Sequence, residues 1–220
     1  MRVVFFLALL FSLDLKSQEF NVGFIGGLSL LDGDYPSIRT KDTFTVLASP
    51  GFGVFLHRPI NEKLAFKTSV YFTRFKGDDR LIPRYVGVHT PSSINRANIE
   101  LQLNAEYTLF RLPLNSTTDL SFYLQSGIVF SKTTVSGNDV NDNCPVVNLG
   151  IPIGGGVRMP IKEKYSLFAQ AEFVQGMNDC FDGFVDLSKV KDVYYSLKFG
   201  ISTLFTPVTG NAKNISCPKF

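Results

Sequence analysis

The chain has 220 residues, with 22 Lys and Arg against 19 Asp and Glu, and this small positive charge is dispersed without a basic run. That pattern argues against nucleic acid as a partner. Three cysteines without a CxxC pair and two isolated histidines give a zinc or redox centre no support.

The chain opens as a secretory signal. Met1-Arg2 supplies a basic start and positions 3–11 an uninterrupted apolar core that is too short for a membrane anchor. Cleavage after Ser17 assigns 1–17 to the signal peptide, and the absence of a nearby cysteine argues against a lipoprotein. Beyond it no apolar run approaches the ~18 residues of a membrane helix, so a helical membrane protein is excluded. The remainder is one domain with no interdomain linker.

Eight segments then follow the two-residue period of a β-strand, in which successive side chains point to opposite faces. They span about 19–31, 51–58, 63–76, 98–109, 119–132, 147–159, 164–176 and 191–205. The fourth is the clearest. From Asn98 through Glu100, Gln102, Asn104 and Glu106 one face is polar, while Ile99, Leu101, Leu103, Ala105 and Tyr107 make the other apolar. It runs about twice the usual strand length of 5–6 residues.

The connections alternate in length. Long polar stretches at 32–50, 77–95, 133–146 and 177–190 are separated by short turns at 59–62, 110–118 and 160–163. An even number of long two-faced strands, with long loops on one side and short turns on the other, predicts an all-β fold: an eight-stranded antiparallel transmembrane β-barrel (OmpA/OmpX-like) over 18–205. Residues 206–220 form a periplasmic tail. Tyr107, Phe110, Tyr165, Tyr195 and Phe205 fall near segment ends, where interfacial aromatics belong.

A barrel of this size is filled by its own side chains. The polar faces place Lys67, Glu100, Glu106, Arg158, Glu172 and Lys198 inside as a lumen charge network, with Gly23, Gly27, Gly127, Gly154, Gly156 and Gly200 making room for them. Buried charges of this kind have to be paired and hydrogen-bonded.

Chemistry is thinly signposted. Gly154-Gly155-Gly156 continues into a strand, without the helix and Lys that a phosphate loop needs. Positions 139–143 carry alternating oxygen side chains, but Cys144 and Gly150 stand where a calcium loop requires Gly and Glu. His57 and His89 have no nucleophile or acid at a telling offset and read as surface or interface residues. No catalytic, cofactor or metal site is expected. Cys144 and Cys180 sit in the third and fourth long loops on the same side, which brings a disulfide between them within reach; Cys217 lies on the other side.

Three stretches carry a resemblance. They are Arg96-Ala97-Asn98-Ile99-Glu100 through Glu106-Tyr107, Ile151-Pro152-Ile153-Gly154-Gly155-Gly156-Val157, and Asn178-Asp179-Cys180-Phe181-Asp182, together with the ending Cys217-Pro218-Lys219-Phe220. With these the chain resembles the PorG-type outer-membrane barrels of the Bacteroidetes type IX secretion system. It departs from that family's pattern in that Gly183-Phe184-Val185-Asp186 follows the acidic stretch.

The resemblance implies a non-enzymatic barrel in the Gram-negative outer membrane that anchors a periplasmic complex for protein export. Its partners would be outer-membrane lipid and lipoproteins of that complex, with Cys217, Pro218, Lys219 and Phe220 as tail contacts. The alternatives are a surface barrel that binds extracellular ligands through its long loops, and a narrow pore.

Overall fold

The computed structural model describes residues 20–32, 48–78, 93–115, 118–134, 147–162, 164–177 and 192–205. They form eight strands: β1 (Phe20–Asp32), β2 (Ser49–Pro59), β3 (Leu64–Asp78), β4 (Ser93–Asn115), β5 (Thr118–Thr134), β6 (Asn148–Lys162), β7 (Tyr165–Gly176) and β8 (Val193–Phe205). Each strand pairs antiparallel with its neighbours in sequence, and β1 pairs with β8, so the sheet closes into a barrel without edges.

The register fixes the barrel's shape. A walk across the strands from Phe122 passes Val157, Ala169, Phe199, Gly26, Phe52, Phe72 and Ile99 and returns to β5 at Lys132, ten residues along. Eight strands with that stagger, at ~3.3 Å per residue and ~4.8 Å between strands, tilt by about 40° and enclose a backbone cylinder of about 8 Å radius. Inward side chains from opposite walls therefore meet at the axis.

The strands run further than the sequence reading gave them, taking in Pro59 and residues 49–50, 77–78, 93–97 and 133–134, and two turns differ most. Residues 110–115, expected in a turn, continue β4, and 160–162 continue β6. The reason lies at Leu109-Phe110, where two consecutive apolar residues break the alternation. The register shifts between Thr108 and Phe110, a β-bulge that uses up Leu109 and lets Phe110 and Leu112 stay on the outer face with Phe122 and Leu120. Beyond Tyr107, the partner of Leu64 at the start of β3, the β4–β5 hairpin runs past the β2–β3 turn. Asn61 stabilises that turn by accepting hydrogen bonds from the Lys63 and Leu64 amides at 2.9 and 2.8 Å, and the Arg111 guanidinium donates to the Glu62 carbonyl at 2.8 Å.

Candidate functional site: a filled lumen, an apolar belt and a projecting hairpin

The barrel is apolar outside and polar inside, the reverse of a water-soluble protein. Phe24, Phe52, Phe66, Leu124, Ile153 and Phe199 are exposed on the outer wall, Phe24 by 71%. Inside, Lys67, Glu100 and Lys198 are at most 1% exposed. Only a solvent of hydrocarbon makes this distribution favourable, because each outward side chain loses ~25 cal/mol per Å² of apolar surface left in water.

The register sorts the outer wall into levels, each residue rising about 2.5 Å along the axis at the derived tilt. Phe20, Phe110, Phe122, Tyr165 and Phe205 share one level near the short turns. Phe52, Phe72, Phe130, Phe173 and Tyr195 share another, about 20 Å higher. Neighbouring rings in these belts touch: Phe20 and Phe205 lie 4.9 Å apart, Phe110 stacks on Phe122 at 4.5 Å, and Phe173 meets Tyr195 at 5.4 Å. Two aromatic girdles bounding an apolar band roughly 25 Å tall are what a transmembrane barrel gives to lipid. Arg74 and Lys132 lie on the outer wall one step above the upper girdle, where charge meets the headgroups.

The six charged residues of the polar faces all lie in the lumen, in two groups. Toward the short turns, Arg158 donates to Glu106 at 2.7 Å and to His57 at 2.8 Å. Lys67 lies 3.6 Å from the same carboxylate and donates to the side-chain amide oxygen of Gln170 at 2.5 Å. Its ammonium also sits 4.2 Å from the Phe168 ring centre, and Arg158 caps Tyr123 at 5.0 Å. His57, read from the sequence as a surface or interface residue, is buried in the lumen between Arg158 and Glu106. It sits at an inward position of β2, a parity that the short alternation of that segment carried but that no chemical motif announced.

Toward the long loops, Lys198 and Glu172 pair at 2.7 Å. Gln125 and Gln102 donate to the two oxygens of Glu172 at 2.8 and 3.0 Å. Glu100 is held by amides: Asn98 and Gln102 donate to it at 2.8 and 3.0 Å. The lumen also takes aromatic and aliphatic side chains, of which the alternation placed Tyr71 and Tyr194 on the inner face and did not single out the others. Ile25, Phe55, Tyr71 and Phe168 form one buried cluster and Leu31, Phe75, Val129, Val174 and Tyr194 another. Polar network and aromatic plugs together close the bore.

Among the described residues no His, Cys, Asp and Glu side chains are grouped to hold a metal ion. Gly154, Gly155 and Gly156 lie within β6. His89, positions 139–143, Cys144, Cys180, Cys217, Pro218, Lys219 and Phe220 lie outside the described residues.

No protein-family model matches the chain, and no curated protein matches its sequence. Solved structures do match. Neisserial surface protein A superposes with a TM-score of 0.51 at 15% identity, over 84% of this chain and 97% of that one. The N-terminal β-barrel domain of Pseudomonas aeruginosa OprF gives 0.47 at 13% identity, over 86% and 100%. The attachment invasion locus protein Ail of Yersinia pestis gives 0.46 at 13%, over 86% and 99%. The superposition on Neisserial surface protein A, over 84% of this chain, shows a shared barrel fold.

Proposed function

We propose that the chain is an outer-membrane barrel, exported by a cleaved signal peptide over 1–17, which acts as a non-enzymatic structural anchor for a periplasmic complex of the type IX secretion system. In this orientation the short turns and the tail 206–220 face the periplasm and the long loops face outward. The observation that carries the reading is the β4–β5 hairpin. Its outer face continues past the lower girdle with Leu112 and Leu114, 49% and 51% exposed. At the derived tilt these lie about 5 and 10 Å beyond the girdle, outside the hydrocarbon. An apolar ridge there is left in water unless a protein covers it. The resemblance carried by Ile151-Pro152-Ile153-Gly154-Gly155-Gly156-Val157 and the acidic stretch supports the same partner class.

The filled bore weighs against a pore, because the charges that would line one, Lys67, Glu106, Arg158, Glu172 and Lys198, are paired with each other. The cysteines enter the proposal as a disulfide between Cys144 and Cys180, which mass mapping without reductant would reveal; two free thiols would remove it.

Affinity purification of the tagged barrel from native outer membranes tests the anchor. The expected result is near-stoichiometric recovery of a periplasmic lipoprotein, lost when Leu112 and Leu114 are changed to Ser, or when the chain ends at Phe205, with insertion of the barrel unchanged. Recovery of the barrel alone would replace this reading by ligand binding through the long loops.

A further inference from the structure

On the outer wall, where β6, β7, β8 and β1 run side by side, the apolar surface is indented. A groove of about 330 Å³ has Ala171 among its lining residues, with Leu28, Leu197, Ile153, Phe173 and Tyr195. The register explains the dip: Ala171 faces Gly155 on one side and Leu197 on the other, so a methyl and a hydrogen stand between bulky neighbours. Leu30, although on the outward face, is only 6% exposed beside its register partner Tyr195.

The wall beside the groove carries a further small residue. Inward glycines of this barrel are required by crowding, whereas Gly26 is not. It faces outward on β1 beside Leu28, and a Cβ there would meet nothing nearer than the Gly51 carbonyl at 3.9 Å.

We propose that this groove binds one acyl chain of an outer-leaflet lipid. The proposal rests on the membrane-spanning reading. The groove lies between the middle of the belt and the upper girdle, on the long-loop side, and is continuous with surface that hydrocarbon already covers. Glu172 and Ser196 also line it, but both are buried and engaged in the lumen network. The outward side chains are apolar apart from the Tyr195 hydroxyl, so the ligand is recognised by its chain and not by its headgroup. Filling the groove gives a chain contacts on several sides where a flat wall gives them on one, and the gain grows with the methylenes enclosed.

Native mass spectrometry of the full-length barrel, extracted from native outer membranes in mild detergent, reads the occupancy. Wild type is expected to retain one lipid. Ala171→Leu, which fills the groove from the lipid side without touching the lumen, is expected to lower the retained fraction at least fivefold. Ala105→Leu, an outward alanine on β4 across the barrel, is expected to retain lipid like wild type. Equal retention by the two variants, a lipid-free wild type, or a retained mass that proves to be peptide would each overturn the proposal. Membrane fractionation of the same samples separates the two claims. A barrel absent from the membrane fraction removes the membrane reading and the groove with it, whereas a membrane-bound barrel without lipid removes the groove alone.

Discussion

Arg158 on β6 and Glu106 on β4 are joined across the intervening β5 by a 2.7 Å hydrogen bond inside the barrel. Glu106 is 2% exposed and lies within 4 Å of three basic side chains, Arg158, Lys67 and His57. Among the described residues its carboxylate is therefore the shared counter-charge of these three.

Removing that charge leaves buried cations uncompensated. Glu106→Gln is expected to cost on the order of 3–5 kcal/mol, measured by urea-dependent unfolding in lipid vesicles. A loss below about 1 kcal/mol, the range of an exposed ion pair, would show that water reaches these groups and that the bore is not closed there.

The second pair should behave as a coupled unit. Lys198→Met and Glu172→Gln each strand a partner that is almost fully buried, while the double variant strands neither. A double-mutant cycle is expected to return a coupling energy toward the upper end of the ~0.5–3 kcal/mol seen for groups in contact. Additive losses would mean that the amides of Gln102 and Gln125, not the ion pair, hold Glu172.

Two glycines make a contrasting test of crowding. At Gly127 an added Cβ would lie 1.9 Å from the Leu103 carbonyl oxygen and 2.6 Å from the Asn104 side-chain oxygen, whereas at Gly26 the surroundings are open. Gly127→Val is expected to abolish the folded, heat-modifiable band on semi-native gels, and Gly26→Ala to leave it intact. Normal folding of the valine variant would contradict the close approach of β4 and β5.

Depth in the bilayer can be read with arginine. Phe199 stands near the middle of the belt and Leu112 beyond the lower girdle. Phe199→Arg is expected to cost about 2–4 kcal/mol and Leu112→Arg below about 1 kcal/mol, from unfolding titrations in vesicles. Equal costs at the two sites would displace the membrane from the level set by the girdles.

How far the sequence reached depends on which physical rule each residue obeys. Asn98 to Tyr107 alternates because its two faces meet different solvents, and that rule is local, so strand number and facing were legible. Leu109-Phe110 obeys the same rule after a one-residue slip, and the double apolar step was the available sign of a bulge. Phe55, Phe168 and Ile25 were harder to see. A closed lumen accepts apolar side chains as readily as paired charges, so parity alone has to place them, without help from polarity. His57 gains its meaning from Arg158, a hundred and one positions away. Such a pairing depends on register and stagger, which nearest neighbours in sequence do not carry.

The pairing of β1 with β8 has a consequence for how the barrel comes into being. Phe20 meets Phe205 and Asp32 meets Val193, so the wall is completed by the first and the last strands of the chain. Until Phe205 has been made, β1 has a row of amide and carbonyl groups with nowhere to go, and hydrocarbon does not tolerate such a row. The barrel therefore closes only once β8 is present. Closing a loop of this length before most contacts form makes that step slow. For that interval the polypeptide depends on something else to shield its open edges.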